Sequence, residues 1–509
     1  MEALLCEPFY EPPSWNAMMQ CDDKDLWLEA AKSEYNSLMN QKTWKLVPRP
    51  TDKPVIKSRW LFKLKLNSDG QISRYKARFV AKGLTQTFGV DYFDTFSPVV
   101  KMDTLRFLIA IAVKENLDIV HMDVDTAFLY GVLKEEIYME QPVGFSQEPR
   151  KLVCKLLKSI YGLKQASRTW NIHFTSILKT AGFTPSNMDP CLFTCTTGNV
   201  FAAIAIYVDD CILVGNKAGI TKLKETLHQN FSMKDLGSLE HILGIKVCCS
   251  SNSIALCQST YIDKMLERFS FDDCKPVSIP ILNWLSKPID DSDNPFDVQT
   301  YQQAIGSLNF LAVCTRPDIS FTVGQLAQHM VTPHLSHWNA VCYLFRYISG
   351  TKHLSLTYTS DGVASFYFDA SFANEINCKS TSGYCCLVLG GAISWRSKKQ
   401  SIVANSTMES EYIALHELAK HVMWLKKLEF HDLQKPTLFV DNQSCIKTAC
   451  NPIIQDCSKH IAVRYHYICD LVNTGQVLVK YCPNSNMVAD ILTKPLQKQL
   501  LQRFVMVLV

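Results

Sequence analysis

Asp209 and Asp210 stand side by side in residues 201–216, FAAIAIYVDDCILVGN, between two apolar, β-branched runs. Residues 204–208 and 211–214 read as buried strands. Adjacent aspartates are poor strand formers and good turn formers, so the pair belongs at the tip of a hairpin. Two carboxylates on a rigid apolar stem suit a hard divalent cation such as Mg²⁺, which takes oxygen ligands and bridges carboxylates to substrate phosphates. An ordinary polar turn between core strands has the same local sequence and is the commoner case for these residues alone. Asp123 is a third candidate. It ends the apolar strand of LDIVHMDVDTAF, at the kind of strand end where α/β layers gather ligands, and a helix N-cap is its competing role.

Four more acids lie near the C-terminus. Asp369 sits in the aromatic strand SFYFDASF, and Asp441 ends the apolar strand TLFVD just before a helix. Glu411 begins the helix MESEYIALHELAKHVMWLKKL, where it shares a face with Leu415, Leu418, Val422 and Leu425. A carboxylate on an apolar stripe is costly unless it meets a cation or a donor. Glu409 falls on the mixed face of Ile413, His416 and Lys420, so Glu411 is the stronger candidate. Asp490 opens a final helix in NMVADILTKPL. Each acid alone reads as a cap or a surface group. Four at element ends suit a two-metal site, with ions roughly 4 Å apart.

The elements that must position these acids can be followed along the chain. A helix is expected at residues 25–38, then a basic hairpin. Between Lys42 and Lys82 there are twelve Lys or Arg against two Asp or Glu. Lys57, Arg59, Lys63 and Lys65 alternate with Trp60, Phe62, Leu64 and Leu66, and Arg74, Lys76 and Arg78 alternate with Tyr75, Ala77 and Phe79. Period two puts the charges on one face, and Asn67-Ser68-Asp69-Gly70 supplies the turn. A solvated charged face has the same pattern. Facing strands of one sign repel, however, unless a polyanion neutralises them, which favours a phosphate-contacting surface. Further helices are expected at 104–115, 220–231 and 261–269, with strands at 241–247 and 254–258. KSIYGLKQASRTW is a basic, aromatic stretch before another helix. Residues 282–298 read as an acidic, proline-containing linker, 301–350 as helical, and everything from about 359 as a separate α/β or α+β unit.

At 509 residues, 47% hydrophobic and 20% charged, the chain is a globular protein of several domains. Its net charge of +4 means that any nucleic-acid signal must be local. No signal peptide or membrane span is expected, so no membrane partner is. The 20 cysteines lack paired C-x-x-C spacing, which disfavours zinc and fits reduced thiols in the cell interior.

The stretches WLFKLKLNSDGQISRYKARFVAKG, DTFSPVVK, MDVDTAFLYG, IYGLKQASRTW, YVDD, MKDLGSLEHILGIKV, GSLNFLAVCTRPDI, STSGY, ISWRSKKQ, ESEYIAL and VADILTKPL occur in this order. Together they resemble the reverse transcriptase–ribonuclease H region of copia-type LTR retrotransposon Pol polyproteins, from about residue 11 to 496. The resemblance implies a multidomain α+β and α/β protein, with a right-hand polymerase of fingers, palm and thumb followed by a ribonuclease H-like domain. The implied divisions are 1–215 (fingers and palm), 216–281 (end of palm, primer grip and thumb), 282–358 (linker and helical connection) and 359–503 (ribonuclease H-like).

By position in the motifs, Asp123, Asp209 and Asp210 match the palm metal ligands, and Asp369, Glu411, Asp441 and Asp490 match the nuclease ligands. Lys76, Arg78, Phe128 and Gln165 match nucleotide-contacting positions, with Phe128 against the sugar as a selector for deoxynucleotides. Leu243-Gly244-Ile245 resembles the primer-gripping hairpin, and Lys63, Lys65 and Arg74 lie on the nucleic-acid face. The implied cofactor is Mg²⁺, two per site, with Mn²⁺ as substitute. Implied partners are an RNA template, a DNA primer, an RNA–DNA hybrid and deoxynucleoside triphosphates. Integrase and capsid partners belong to the family but not to this chain. The implied location is intracellular, in a cytoplasmic virus-like particle or the nucleus. Ser371, Phe372, Ala462 and Asn405 depart from the family pattern without removing a ligand. With no upstream protease or integrase motif, the chain reads as a fragment or truncated copy. An inactive or co-opted remnant that binds nucleic acid without catalysis is the competing reading.

Overall fold

A computed structural model describes residues 10–66, 71–148, 151–281, 294–375, 377–428, 435–450 and 462–509. The turn expected at Asn67–Gly70 and most of the expected linker, 282–293, lie outside these residues.

The fingers begin with α1 (Lys24–Asn40), which packs on the hairpin of β1 (Ser58–Leu66) and β2 (Ile72–Ala81). The expected alternation holds: Trp60, Phe62, Ala77 and Phe79 are buried while Arg59, Lys63, Lys65 and Arg74 are exposed. The buried side joins Trp27, Trp44 and Leu156 in an aromatic core of its own.

The palm is built on α2 (Met102–Lys114), β3 (Asp118–Val124), α3 (Ala166–Thr180), β4 (Leu192–Thr197), β5 (Val200–Tyr207), β6 (Asp210–Gly215), α4 (Lys217–Asn230) and β7 (Met233–Ser238). Its strands run antiparallel in the order β7-β3-β6-β5-β4, with a short Thr184–Pro185 strand at the far edge. Helix α2 is apolar on nearly every side, as a helix enclosed by protein must be. Strand β7 was not expected. MKDLGS is polar and contains glycine, and it becomes a strand because the open edge of β3 accepts its backbone.

Next come β8 (His241–Ile242), β9 (Ile245–Cys249), β10 (Ser253–Cys257) and α5 (Ser259–Arg268). The single strand expected at 241–247 is broken by a turn at Leu243-Gly244, whose φ values are 49° and 76°. Two positive-φ residues between paired Ile242 and Ile245 make a tight hairpin turn. The expected helical stretch 301–350 is three helices, α6 (Val298–Cys314), α7 (Ser320–Ala327) and α8 (Leu335–Gly350). Pro317 and Pro333 lie in the interruptions, where each removes a backbone donor. Helix α5 packs into the same bundle, with Phe269 stacked on Phe345 at 5.1 Å and Arg268 hydrogen-bonded to Gln303. The expected division at 281/282 therefore crosses one packed helical unit.

Strand β11 (Leu356–Thr359) returns to pair with β10, giving a sheet of order β8-β9-β10-β11. The final unit holds β12 (Ser365–Ser371), β13 (Thr381–Val388), β14 (Gly391–Lys399), α9 (Thr407–Lys426), β15 (Thr437–Val440), α10 (Gln443–Cys450), α11 (Ala462–Asn473), β16 (Leu478–Tyr481) and α12 (Lys498–Leu508). Its sheet runs β14-β13-β12-β15-β16, antiparallel through β12 and parallel beyond. Asp490 does not open the last helix. It lies in a 3₁₀ turn, Val488–Leu492, and α12 starts only after Pro495. The α+β and α/β plan of a right-hand polymerase followed by a ribonuclease H-like unit holds. One continuous apolar core, however, runs from the palm into that last unit.

Candidate active sites

In the palm, Tyr207 pairs with Asp210, which leaves Val208-Asp209 as the two-residue turn between β5 and β6. The stem is fully apolar: Ile204, Ile206, Cys211 and Leu213 are all buried. Val208 has φ 59°, a left-handed conformation that costs a β-branched residue roughly 1–3 kcal/mol. The Trp170 indole, from α3, donates to the Val208 carbonyl at 2.7 Å and holds the turn. On the neighbouring strand Asp123 is the direct partner of Asp210, and the Val124 N–H donates to the Asp209 carbonyl at 3.0 Å. All three aspartates therefore occupy one corner of the sheet.

Two partners there were not foreseen. His121 Nε2 lies 2.9 Å from Asp210 Oδ1. Lys234, on β7, stands 3.9 Å from Asp123 Oδ2 and forms an ion pair with Asp125. Burial, then the Asp209 charge, pushes the Asp123 pKa up, and Lys234 works against that rise. His121 precedes Asp123 by two residues on the same strand face, a spacing that could have flagged it. Lys234 carried no such signal, because its strand was not expected.

Around this corner, Arg78 lies over the Tyr161 ring at 3.9 Å, and Tyr161 meets Phe128 edge-on at 4.9 Å. Burial pushes the Tyr161 hydroxyl up to about 12. The half-buried Lys76 is held below its ordinary pKa, first by burial and then by Arg78, Lys65 and Arg74. Lys63 faces Lys76 and Lys65 faces Arg74 across the hairpin. The charged face is partly neutralised from within, since Lys63 pairs with Glu11. Gln165 departs most from expectation. It is buried, its amide donates to the Asp91 carbonyl at 2.8 Å, and its carbonyl accepts from Gln86 at 3.0 Å. In this arrangement it fastens the loop before the palm, with its carbonyl and one amide N–H engaged there. Leu243 and Gly244 form the hairpin turn already described, beside Phe310, while Ile245 is buried under it.

In the last unit, β12 carries Asp369, the end of β15 delivers Asp441, and the 3₁₀ turn delivers Asp490. Oxygens of these three lie within 4.8 Å of one another, a grouping that the palm trio does not form among the described residues. Glu411 Oε1 accepts from the Ala370 N–H at 3.2 Å. Its Oε2 is buried and has no hydrogen-bond partner among the described residues. Burial, then Asp369 and Asp441, raises the Glu411 pKa well above the carboxylate range. Glu409 spends its carboxylate on the Asn405 N–H at 2.7 Å, at the start of α9.

Thr493 and Lys494 complete this cluster and were not foreseen. Thr493 donates its hydroxyl to Asp369. The Lys494 ammonium lies 3.0 Å from Asp490 and 3.6 Å from Asp369. Burial opposes its charge, but Asp369 and Asp490 hold its pKa above the ordinary lysine value. Burial, then Asp369, raises Asp490 to about 7, and the same two causes raise Asp441. An all-oxygen donor set with one orphaned buried carboxylate oxygen fits a hard divalent cation.

The reverse transcriptase (RNA-dependent DNA polymerase) family model matches residues 41–283. The chain is similar to the retrovirus-related Pol polyprotein from transposon TNT 1-94 of Nicotiana tabacum, 40% identical over 97% of this chain and 38% of that protein. It is 36% identical to the counterpart from transposon RE2 of Arabidopsis thaliana, over 96% of this chain and 34% of that protein. It thus spans little more than a third of the length of these plant relatives. A transposon Ty5-1 protein of Saccharomyces cerevisiae is matched over its whole length at 34% identity, across 59% of this chain. Among solved structures, the foamy viral protease-reverse transcriptase in complex with double-stranded DNA aligns with a TM-score of 0.44 at 10% identity, covering 89% of this chain and 69% of that one.

Proposed function

This chain belongs to the reverse transcriptase family of copia-type retrotransposon Pol polyproteins, and we propose that it copies RNA into DNA and degrades the RNA of the resulting hybrid. The observation that carries this reading is the pairing of Asp210 with Asp123 beneath the Val208-Asp209 turn. It gathers three carboxylates on an apolar stem beside a basic hairpin. A second carboxylate cluster on the same chain supplies the hydrolytic half.

Asp123, Asp209 and Asp210 would hold divalent ions in the palm, and Asp369, Glu411, Asp441 and Asp490 would hold them in the nuclease. Bound Mg²⁺ or Mn²⁺ supplies positive charge that acidifies the attacking hydroxyl or water and offsets charge on the phosphate. The protein's own part is positioning and charge. His121 orients Asp210, and Thr493 orients Asp369. Arg78 and Lys76 offer donors to the incoming triphosphate. The Phe128–Tyr161 pair walls the sugar side. Leu243-Gly244 presents backbone at a tight turn suited to the primer strand. The nuclease would read its hybrid by shape and 2′-hydroxyls. The working place under this reading is the cell interior, where element RNA is available.

Primer extension on an RNA template, with and without Mg²⁺, tests the proposal. Asp210→Asn should abolish incorporation with template binding kept within a few-fold. Glu411→Gln should stop hybrid cleavage and spare synthesis. Extension retained by Asp210→Asn would remove the palm assignment. Loss of both activities in a folded Glu411→Gln protein would replace two sites with one.

A further inference from the structure

Arg106, on palm helix α2, is among the largest fully buried side chains in the protein. Its guanidinium joins three parts of the chain. Nε donates to the Ile393 carbonyl on β14 of the nuclease at 2.6 Å. Nη1 donates to the Val313 and Cys314 carbonyls, at the C-terminal end of α6, at 2.7 and 2.9 Å. Nη2 pairs with Asp103 on its own helix. The plane lies over the Trp395 ring at 4.0 Å, and that indole donates to the Ala312 carbonyl at 2.7 Å. Asp103 in turn accepts from Ser394 at 2.9 Å. Carbonyls at a helix C-terminus lack intrahelical partners, so the palm and the nuclease together satisfy the end of the bundle helix.

Two other attachments lie apart from this one in sequence. Trp424, on α9, donates to the Met188 carbonyl of the palm at 2.9 Å, with Lys101 over its ring at 4.7 Å. Strand β11, which leads into the nuclease, pairs with β10, and its Thr359 N–H donates to the Leu389 carbonyl between β13 and β14 at 2.7 Å. Attachments on three different elements hold a body in orientation as well as in place. Helix α9 carries both Trp424 and, near its other end, Glu411.

Taking both activities from the preceding reading, we propose that this joint positions the nuclease: Arg106 and Trp424 set the distance between the growing DNA end and the point where the RNA is cut. Arg106 is fully buried, and neither residue belongs to the two carboxylate clusters. A guanidinium fork bound to three carbonyls cannot be replaced by a single ammonium, so Arg106→Lys loosens the joint while keeping the charge. Trp424→Phe removes one donor and keeps most of the ring.

The experiment uses the full chain, a labelled RNA template and a DNA primer stalled at a fixed position, and reads the lengths of the cleaved RNA. Wild type should give one dominant cut-to-primer-end spacing. Arg106→Lys and Trp424→Phe should lose that dominance and spread the cuts, with extension and total cleavage within a few-fold of wild type. An unchanged sharp spacing in both variants would overturn the proposal, as would a broad spacing in wild type. Native-state hydrogen exchange provides a readout independent of turnover. The Ser394 and Trp395 amides should exchange as slowly as those of β6 in wild type and faster in Arg106→Lys, and fast exchange in wild type would overturn the joint. A wild-type chain that makes no DNA but keeps this protection would sink the proposed function and leave the joint standing.

Discussion

The Trp170 indole N–H donates to the Val208 carbonyl at 2.7 Å, so a buried helix side chain clamps a turn held at φ 59°. Trp170→Phe removes the donor and keeps much of the packing. The lost bond should cost about 1 kcal/mol of stability. Misplacement of Asp209 and Asp210 should slow nucleotide incorporation on the order of ten- to a hundred-fold. Single-turnover extension beside a thermal melt separates the two effects. An unchanged rate with a lowered melting point would make the clamp purely structural.

Without metal, the last unit should lose stability as pH rises from about 5 to 7. Burial and Asp369 raise Asp490 to about 7, whereas the unfolded chain ionises it near ~4. Between those values the folded state holds the extra proton, so stability falls as pH increases. Burial lowers the pKa of His173, His329 and His421, which work in the opposite sense near pH 6. The quantity to measure is therefore the difference between wild type and Asp490→Asn in chelator. The wild-type melting point should fall relative to the variant across this window. Saturating Mg²⁺, which binds the carboxylates and not their acids, should reverse the trend. A difference that rises with pH would contradict this account of the cluster.

Replacing Lys65, Arg74 and Lys76 with Gln should flatten the salt dependence of template binding by roughly 0.7–0.9 in slope for each phosphate no longer neutralised. Lys63→Gln alone should change it less, because Lys63 is already paired with Glu11. Equal slopes for the triple variant and wild type would make this face merely solvated.

Phe128 meets Tyr161 at 4.9 Å and packs against both the palm and the fingers cores. If it excludes a ribose 2′-hydroxyl, Phe128→Val should raise ribonucleotide use relative to deoxynucleotide use, with deoxynucleotide incorporation partly kept. A parallel fall in both would mark it as a packing residue only. Matched incorporation efficiencies for the two sugars decide between them.

What was legible from sequence follows from local physics. The apolar runs around Asp209-Asp210 permit few arrangements other than a buried hairpin, whereas the stripe from Glu411 to Leu425 does not by itself separate the two glutamates: both are buried, and only Glu411 lies beside Asp369 and Asp441. Thr493, His121 and Lys234 went unseen because their roles arise from partners on other elements, whereas Lys494 also has a local partner in Asp490, four residues earlier. Lys494 meets Asp369 across more than a hundred residues of chain. Strand β7 was invisible for a similar reason, since its cause is the edge of β3 and not its own composition. Gln165 was placed by motif position, but its buried bonds to Asp91 and Gln86 depend on a loop whose path no periodicity reveals. The helix expected at Asp490 failed locally, because Pro495 prevents the turn from continuing into α12.

The pairing of β10 with β11 has a consequence for anyone dividing the chain. A polymerase fragment ending before Leu356 would leave one long side of Ser253–Cys257 with bare amides and carbonyls. An unpaired sheet margin of this kind templates association with other chains. The same cut would expose apolar groups now covered, among them Leu256, buried opposite Leu356. Such a fragment should self-associate, whereas a boundary drawn after Thr359 keeps the sheet closed on that side.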